Sequence, residues 1–388
     1  MSLERTRREI LKGGLAVAGL GVIGVPEWAL PVMAQGETLV PFTDIPENVR
    51  WEVPPDRRTL DLRTIDGPLT PAGQFATTQH YGHPEVDLAT YKLKVSGLVD
   101  RPVQFTLDEL KKMGSAELVA GFECSGNRGP LQGLCGNGRW TGLPLKKVLD
   151  AAGVKASARE FVFFGADKGV DEEVEWRTAK YKIDVPFGRS LPREKALSPE
   201  LFLAYSLNGA PLTKHQGAPL RLIVPGWYGV ANVKWLSQIH IQQDAYVGKY
   251  QTRWYRTVRG EMIDGEMKYM ETAVTHMNLK SFIGRVTRSG AECKVVGVVL
   301  NDGTPVKSVE VQVDEGPWQP AVLDSTTKDK YGWKLFTYMW KDPTPGAHTL
   351  VSRVTDVTGA VQPTAKDLEN KKSFLEENSQ APRKVMVS

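Results

Sequence analysis

The sequence predicts an α+β domain followed by an all-β, immunoglobulin-like sandwich, and three observations carry that reading. Between about residues 85 and 255, strand-like and short helical patterns alternate irregularly. From Phe282 onward, short strands recur at regular spacing between Gly, Asp and Pro turns, over about a hundred residues. With 388 residues the chain is long enough to bury two sizeable cores. At 41% hydrophobic and 24% charged residues, its composition is that of a soluble globular protein. A net charge of +4, spread along the chain, argues against nucleic acid as a partner.

Taken in order, residues 1–34 read as a targeting segment rather than part of the fold. Arg7 and Arg8 in "TRREILK" form the pair of a twin-arginine export signal. "GGLAVAGLGVIGV" supplies the apolar run, and "PVMA" a cleavage site before Gln35. That run is too short and glycine-broken to span a membrane, so no span is expected in the mature chain, whose destination is the periplasm. Export by this route carries proteins already folded, which points indirectly to a bulky cofactor inserted beforehand.

The α+β domain is expected over residues 35–280 and the sandwich over 281–388. "TYKLKVSGLV" alternates as a strand. Thr106 and Glu109 in "TLDELKKM" form a capping box that opens a helix with Leu107 and Leu110 on one face. "LPLKKVLDAAG" is a helix stopped by Gly153. "LFLAYSLNGAPL" is a strand entering an Asn208–Gly209 hairpin turn. "APLRLIVPGWYGVANVKWLSQIHI" holds two further strands around a Pro225–Gly226 turn. Residues 257–281 read as a connector whose four methionines fill an interface. "FIGRV", "CKVVGVVL", "SVEVQV", "WKLFTYMW" and "HTLVSRVTD" are the strands of the sandwich. The charged stretches "REKALSPE" and "ENKKSFLEENSQAPRK" read as a solvated surface and a terminal arm.

An exported chain favours even numbers of cysteines, yet this one has three, Cys124, Cys135 and Cys293. Cys293 lies in a core-strand pattern and reads as a small buried thiol. Cys124, in "GFECSGNRGP", stands between a strand and a Gly/Asn turn. Two readings compete there: a disulfide to Cys135 across the ten-residue loop, or a thiolate ligand for a soft metal. No CxxCH motif occurs, so no haem is expected on this chain. His80 and His83 in "HYGHP" are a weak zinc signal.

With "ECSGNRG", "GRWTGLPL", "APLRLIVPGWYGVANVKWL" and the terminal strands in this order, the chain resembles the sulfite oxidase family of molybdenum enzymes. The resemblance covers nearly all of residues 45–388. It implies a molybdopterin cofactor in the first domain and a homodimer built through the Ig-like second domain. It also implies that Cys124 is the one protein ligand to molybdenum, a soft donor beside the sulfurs of the pterin. By the same alignment Thr78, Gln79 and His80 in "ATTQH", Asp167 in "FFGADKG" and Gln216 contact the cofactor. Arg221 holds its phosphate, a role suited to a planar guanidinium. Asn232, Val233 and Lys234 in "NVKW" surround phosphate or pterin. Tyr255 in "RWYRT" takes the place of the family's active-site tyrosine, where a phenol would hydrogen-bond an oxo group or a substrate oxyanion.

The pattern departs from the family around the substrate. Thr78, Gly129 and Lys334 stand where sulfite oxidases carry arginines, and Lys334, sent from the sandwich, is a third catalytic candidate beside Cys124 and Tyr255. Arg128, Arg253 and Arg256 are further cations from which an anion pocket would be rebuilt. The expected function is oxidation of sulfite or a related sulfur compound, with electrons leaving to a separate c-type cytochrome. Two alternatives stand beside it. One is reduction of an S- or N-oxide on the same cofactor. The other is an exported, non-catalytic binding protein, against which Cys124, His80, Arg221 and Lys234 argue.

Overall fold

The structure is a computed structural model describing residues 32–388 except 47, 48, 50, 51 and 54–56. Residues 1–31 of the expected targeting segment lie outside the described residues. Sheet dominates what is described. The α-helices among these residues are Leu107–Lys112, Leu145–Ala152 and Arg193–Ala196. Both expected helices form, with their expected ends. Thr106 and Glu109 make the reciprocal capping box, and Gly153 ends the second helix at φ 71°. That helix buries Leu145, Val148, Leu149 and Ala152 on one face.

The fold is nevertheless sheet-rich, with few helices. Its main unforeseen element is one long hairpin, Glu160–Trp176 against Ala179–Pro192. The root, "EFVFF", is apolar and buried. The tip is charged, and it is zipped by opposed pairs such as Glu173 facing Lys182 and Glu175 facing Lys180. Charge pairing across strands leaves no apolar period, so the sequence pattern does not register there.

The root joins a five-stranded sheet in the order 103–105, 93–97, 236–242, 160–176, 179–192. A second sheet runs 210–211, 202–207, 135–144, 116–123, with Arg221–Ile223 pairing onto Phe202–Leu207. The Asn208–Gly209 turn forms as expected, both residues at positive φ. Leu93, Val95, Phe161, Phe163, Leu203, Leu222 and Ile239 share the main core.

The carboxy-terminal strands are linked antiparallel in the order 280–289, 292–300, 334–341, 319–323, 306–313, 346–356, 383–387. Thr38–Leu39, from the other end of the chain, adds to the outer edge of Lys280–Ser289. Ile283, Val295, Val311, Phe336, Val354 and Val385 build the core of this unit, and Cys293 is buried among them as expected. Lys280–Ser289 and Glu292–Leu300 are buried on both faces. Their second face, with Phe282, Val298 and Leu300, packs on Leu60, Leu62 and Cys135. Burial on both faces explains the unbroken apolar run "CKVVGVVL".

Two surface expectations are corrected. The segment taken as a connector is a hairpin, Arg256–Ile263 with Glu266–Ala273. Met262, Met267 and Met270 on it face solvent, and only Met277 of the four is buried. The presumed terminal arm is folded in: Leu375 joins the main core, Glu376 and Asn378 are buried, and Arg383–Val387 is a sheet strand.

Candidate active site

The cysteine loop hangs between Ala116–Glu123 and Cys135–Pro144, which pair with Glu123 opposite Cys135. Backbone bonds shape it. Cys124 N donates to Leu134 O at 2.8 Å and Asn127 N to Cys124 O at 2.9 Å. The Asn127 side chain donates to Glu123 Oε1 at 2.7 Å and to Gln132 O at 2.9 Å, and accepts from Leu134 N at 2.9 Å. All three cysteines are free thiols. Cys124 is half-buried. Burial pushes its thiol pKa up, against the Gly126 N–H that donates to it.

A cationic floor lies in the same cleft. Arg221 is 3% exposed, its guanidinium lying 5.2 Å and 5.0 Å from the ring centres of Phe122 and Trp140. It donates to Gln216 O at 2.9 Å and Asn232 O at 3.2 Å, while Nε has no partner among the described residues. Burial lowers its pKa to about 9. Lys234 donates to Gln79 Oε1 at 3.1 Å. Burial first, then the neighbouring Arg221 charge, hold Lys234 down to about 7. Asp167 is buried with Oδ1 unpartnered among the described residues, and desolvation pushes its carboxyl up to about 6.

The third wall is aromatic. His80 Nε2 lies 2.8 Å from Tyr255 OH, and its ring stacks on Tyr250 at 4.3 Å. Burial, with Lys234 and Lys249 adding repulsion, lowers the His80 pKa to about 4, so the imidazole is neutral at pH 7. Burial raises the Tyr255 phenol above its ordinary value, which keeps it protonated. A single π-helical turn, Lys249–Arg253, precedes it and turns Tyr250 inward while Trp254 stays exposed. Arg189, 1% exposed, fixes this turn by donating to Tyr250 O at 2.6 Å and Val274 O at 2.8 Å.

The walls enclose about 760 Å³ of empty space, part of it open solvent. Of the residues expected at the site, Thr78, Gln79, His80, Cys124, Asp167, Arg221, Asn232, Lys234 and Tyr255 line it together. Gln216, Val233 and Lys334 do not. The Gln216 side chain is spent on Thr213 N and Ala72 O, although its carbonyl holds Arg221. Val233 is a core residue whose N–H and C=O are both used internally. Lys334 turns its ammonium to the carbonyls of Asp329 and Gly332.

Phe122, Leu134, Phe187, Gly229, Val230 and Trp235 also line the cleft without having been singled out, and so does Cys135, expected only as a disulfide partner. Most of these neighbour expected residues in sequence. Phe187 arrives on the return strand of the long hairpin and carried no local signal.

Residues 80–250 match the family profile described as the oxidoreductase molybdopterin binding domain. Human mitochondrial sulfite oxidase is 28% identical over 325 residues, which cover 76% of this chain and 57% of that protein. The NADH nitrate reductase of Ulva prolifera is 30% identical over 209 residues, covering 49% of this chain and 22% of that one. The chain thus spans just over half the length of the mitochondrial sulfite oxidases it matches. The crystal structure of the sulfane dehydrogenase SoxCD from Paracoccus pantotrophus superposes with a TM-score of 0.72. That likeness covers 90% of this chain and 91% of that one at 24% identity, and it is a likeness of fold.

The residues present fit a molybdopterin. A soft thiol stands in the same cleft as the buried Arg221 and the half-buried Lys234, both able to take a phosphate. The unpartnered Arg221 Nε and Asp167 Oδ1 are a donor and an acceptor for a polar ligand. With this cleft, residues 80–250 match a molybdopterin-binding oxidoreductase domain, and the chain is similar to sulfite oxidases over about three quarters of its length.

Proposed function

We propose that this chain is an exported molybdenum enzyme that oxidises sulfite or a related small sulfur compound and passes the electrons to a separate c-type cytochrome. The observation that carries the reading is the half-buried Cys124 thiol sharing one cleft with Arg221, Lys234 and Asp167. When bound, the molybdenum–pterin group supplies the oxygen-atom transfer and two-electron chemistry. Cys124 would hold the metal, Arg221 and Lys234 the phosphate, and Asp167 a donor edge of the pterin. A His80 tautomer protonated at Nε2 donates to the Tyr255 oxygen and leaves the phenol proton free for a substrate oxygen. Sulfite oxidase relatives favour a sulfur oxyanion as substrate. The Arg7–Arg8 signal favours the periplasm, and the carboxy-terminal strands, read as an Ig-like dimerisation unit, favour a homodimer.

The test is molybdenum per chain, together with an artificial-acceptor assay across sulfite, thiosulfate and sulfoxides. Metal-free protein that is inert toward all of them would end the proposal, and a haem Soret band would end its electron-transfer part. Nitrate reductase relatives support a second reading, reduction of an oxyanion or an S- or N-oxide, which a reduced-dye assay separates from the first.

Tyr255→Phe should lower kcat/KM about tenfold, the worth of one hydrogen bond, with molybdenum content unchanged. Equal kinetics for the two proteins would take the phenol out of the reaction. Cofactor binding should also depend on pH. Lys234 carries its proton only below about 7, and an anion binds the protonated form. Affinity for the phosphate-bearing cofactor should therefore fall as pH rises, by up to about tenfold per unit above 7. Calorimetric affinities that stay flat from pH 6 to 9 would remove Lys234 from the phosphate site.

A further inference from the structure

We infer that Lys280 is a positioning residue for Cys124, so that the cysteine loop is completed by the carboxy-terminal sheet. The inference rests on the reading of Cys124 as the molybdenum ligand. Lys280 begins the strand Lys280–Ser289, more than 150 residues beyond the loop it touches. Its ammonium donates to Glu123 Oε1 at 2.7 Å and to Asn127 O at 3.0 Å. Those acceptors stand just before Cys124 and at the end of the turn after it. Asn127 Nδ2 donates to the same Glu123 oxygen at 2.7 Å, so lysine, glutamate and asparagine close around one carboxylate atom.

The Lys280 and Glu123 side chains are 1% and 2% exposed. Such burial is a poor way to stabilise a fold, because apolar side chains of similar volume serve as well or better. What a buried ion pair offers is a single register, since an ammonium is satisfied only where its acceptors are. The loop needs that. Its sequence, "SGNRGPLQGL", is rich in Gly and polar residues and has little apolar surface to lock it. A second tie comes from the same end of the chain: Glu376 N donates to Ser125 O at 2.7 Å. The loop is thus held from beyond its own sheet on both sides of the Gly126 turn.

A matched control exists in the neighbouring strand. Lys294 is also buried and paired, with Glu37 at 2.6 Å, and its ammonium otherwise meets Val32 O. The test uses purified full-length protein, with two readouts: molybdenum per chain, and the number of sulfurs at molybdenum from X-ray absorption. The variants are Lys280→Met, the neutral pair Glu123→Gln with Lys280→Met, and Lys294→Met, with folding followed by circular dichroism. Lys280→Met, where folded, and the neutral pair should lose metal at least tenfold or show one sulfur fewer. Lys294→Met should keep both. Because Lys280→Met alone strands a buried carboxylate, the neutral pair decides. The inference is overturned if the folded neutral pair keeps wild-type metal and sulfur count, if it does not fold, or if Lys294→Met loses as much metal. Wild-type protein without molybdenum would instead sink the functional proposal, a separate outcome.

Discussion

Cys124→Ser is expected to give a folded chain with less than about one hundredth of the wild-type turnover. Losing only an outer hydrogen-bond partner of a ligand already costs roughly 10–100-fold, and here the donor itself is lost. A serine hydroxyl is a far weaker acid and a harder donor than a thiol, so it does not replace a thiolate at a soft metal. The fold should survive because the backbone–backbone bonds that shape the loop do not use Sγ, a serine oxygen still accepts from the Gly126 N–H, and the side chain is only half-buried. Cys135→Ser and Cys293→Ser reverse the pattern. Each puts a hydroxyl into an apolar cluster, which costs about 1–3 kcal/mol of stability and leaves turnover near normal. Steady-state assays, metal analysis and thermal melts on the three variants separate these outcomes. Near-normal turnover in Cys124→Ser would remove that residue from the site.

Arg221→Met should purify without cofactor. Methionine keeps apolar contact with Phe122 and Trp140 but removes every donor. The carbonyls of Gln216 and Asn232 lose their partner, a destabilisation of about 1–3 kcal/mol. A bound phosphate loses a charge-assisted bond of about 1.5–3 kcal/mol, or roughly 10–150-fold in affinity. Arg221→Lys should not rescue it, because one ammonium cannot serve two carbonyls and a phosphate from a plane. Cofactor per chain after gel filtration measures the effect. Full occupancy in Arg221→Met would mean that the phosphate is held elsewhere.

Much of the site was legible in the sequence because its residues come in short runs with one local geometry. "ECSGN", "APLRL" and "NVKW" each place a chemically distinctive side chain beside turn or strand signals, and Cys124, Arg221 and Lys234 do meet in one cleft. Lys334 was not legible. Its side chain is one residue from a carbonyl-rich turn, and local hydrogen bonds decide its direction. Lys280 was equally hidden, since its meaning depends on an acceptor far away in sequence. The fold shows the same division. Helix ends at Thr106 and Gly153 were fixed by local chemistry, whereas the charged hairpin tip and the buried terminal segment depend on partners that periodicity cannot see.

The pairing of Thr38–Leu39 with Lys280–Ser289, and of Phe42 with Val385, has a consequence for the order of folding. One sheet system takes strands from both extremes of the described chain, and its last strand, Arg383–Val387, reaches to within one residue of Ser388. Thr38–Leu39 must wait for Lys280–Ser289, and Phe42 for Arg383–Val387, before either can pair. Contacts of such long sequence separation fold slowly, because loop closure precedes the gain from pairing. Closure of this sheet is therefore a late event in folding.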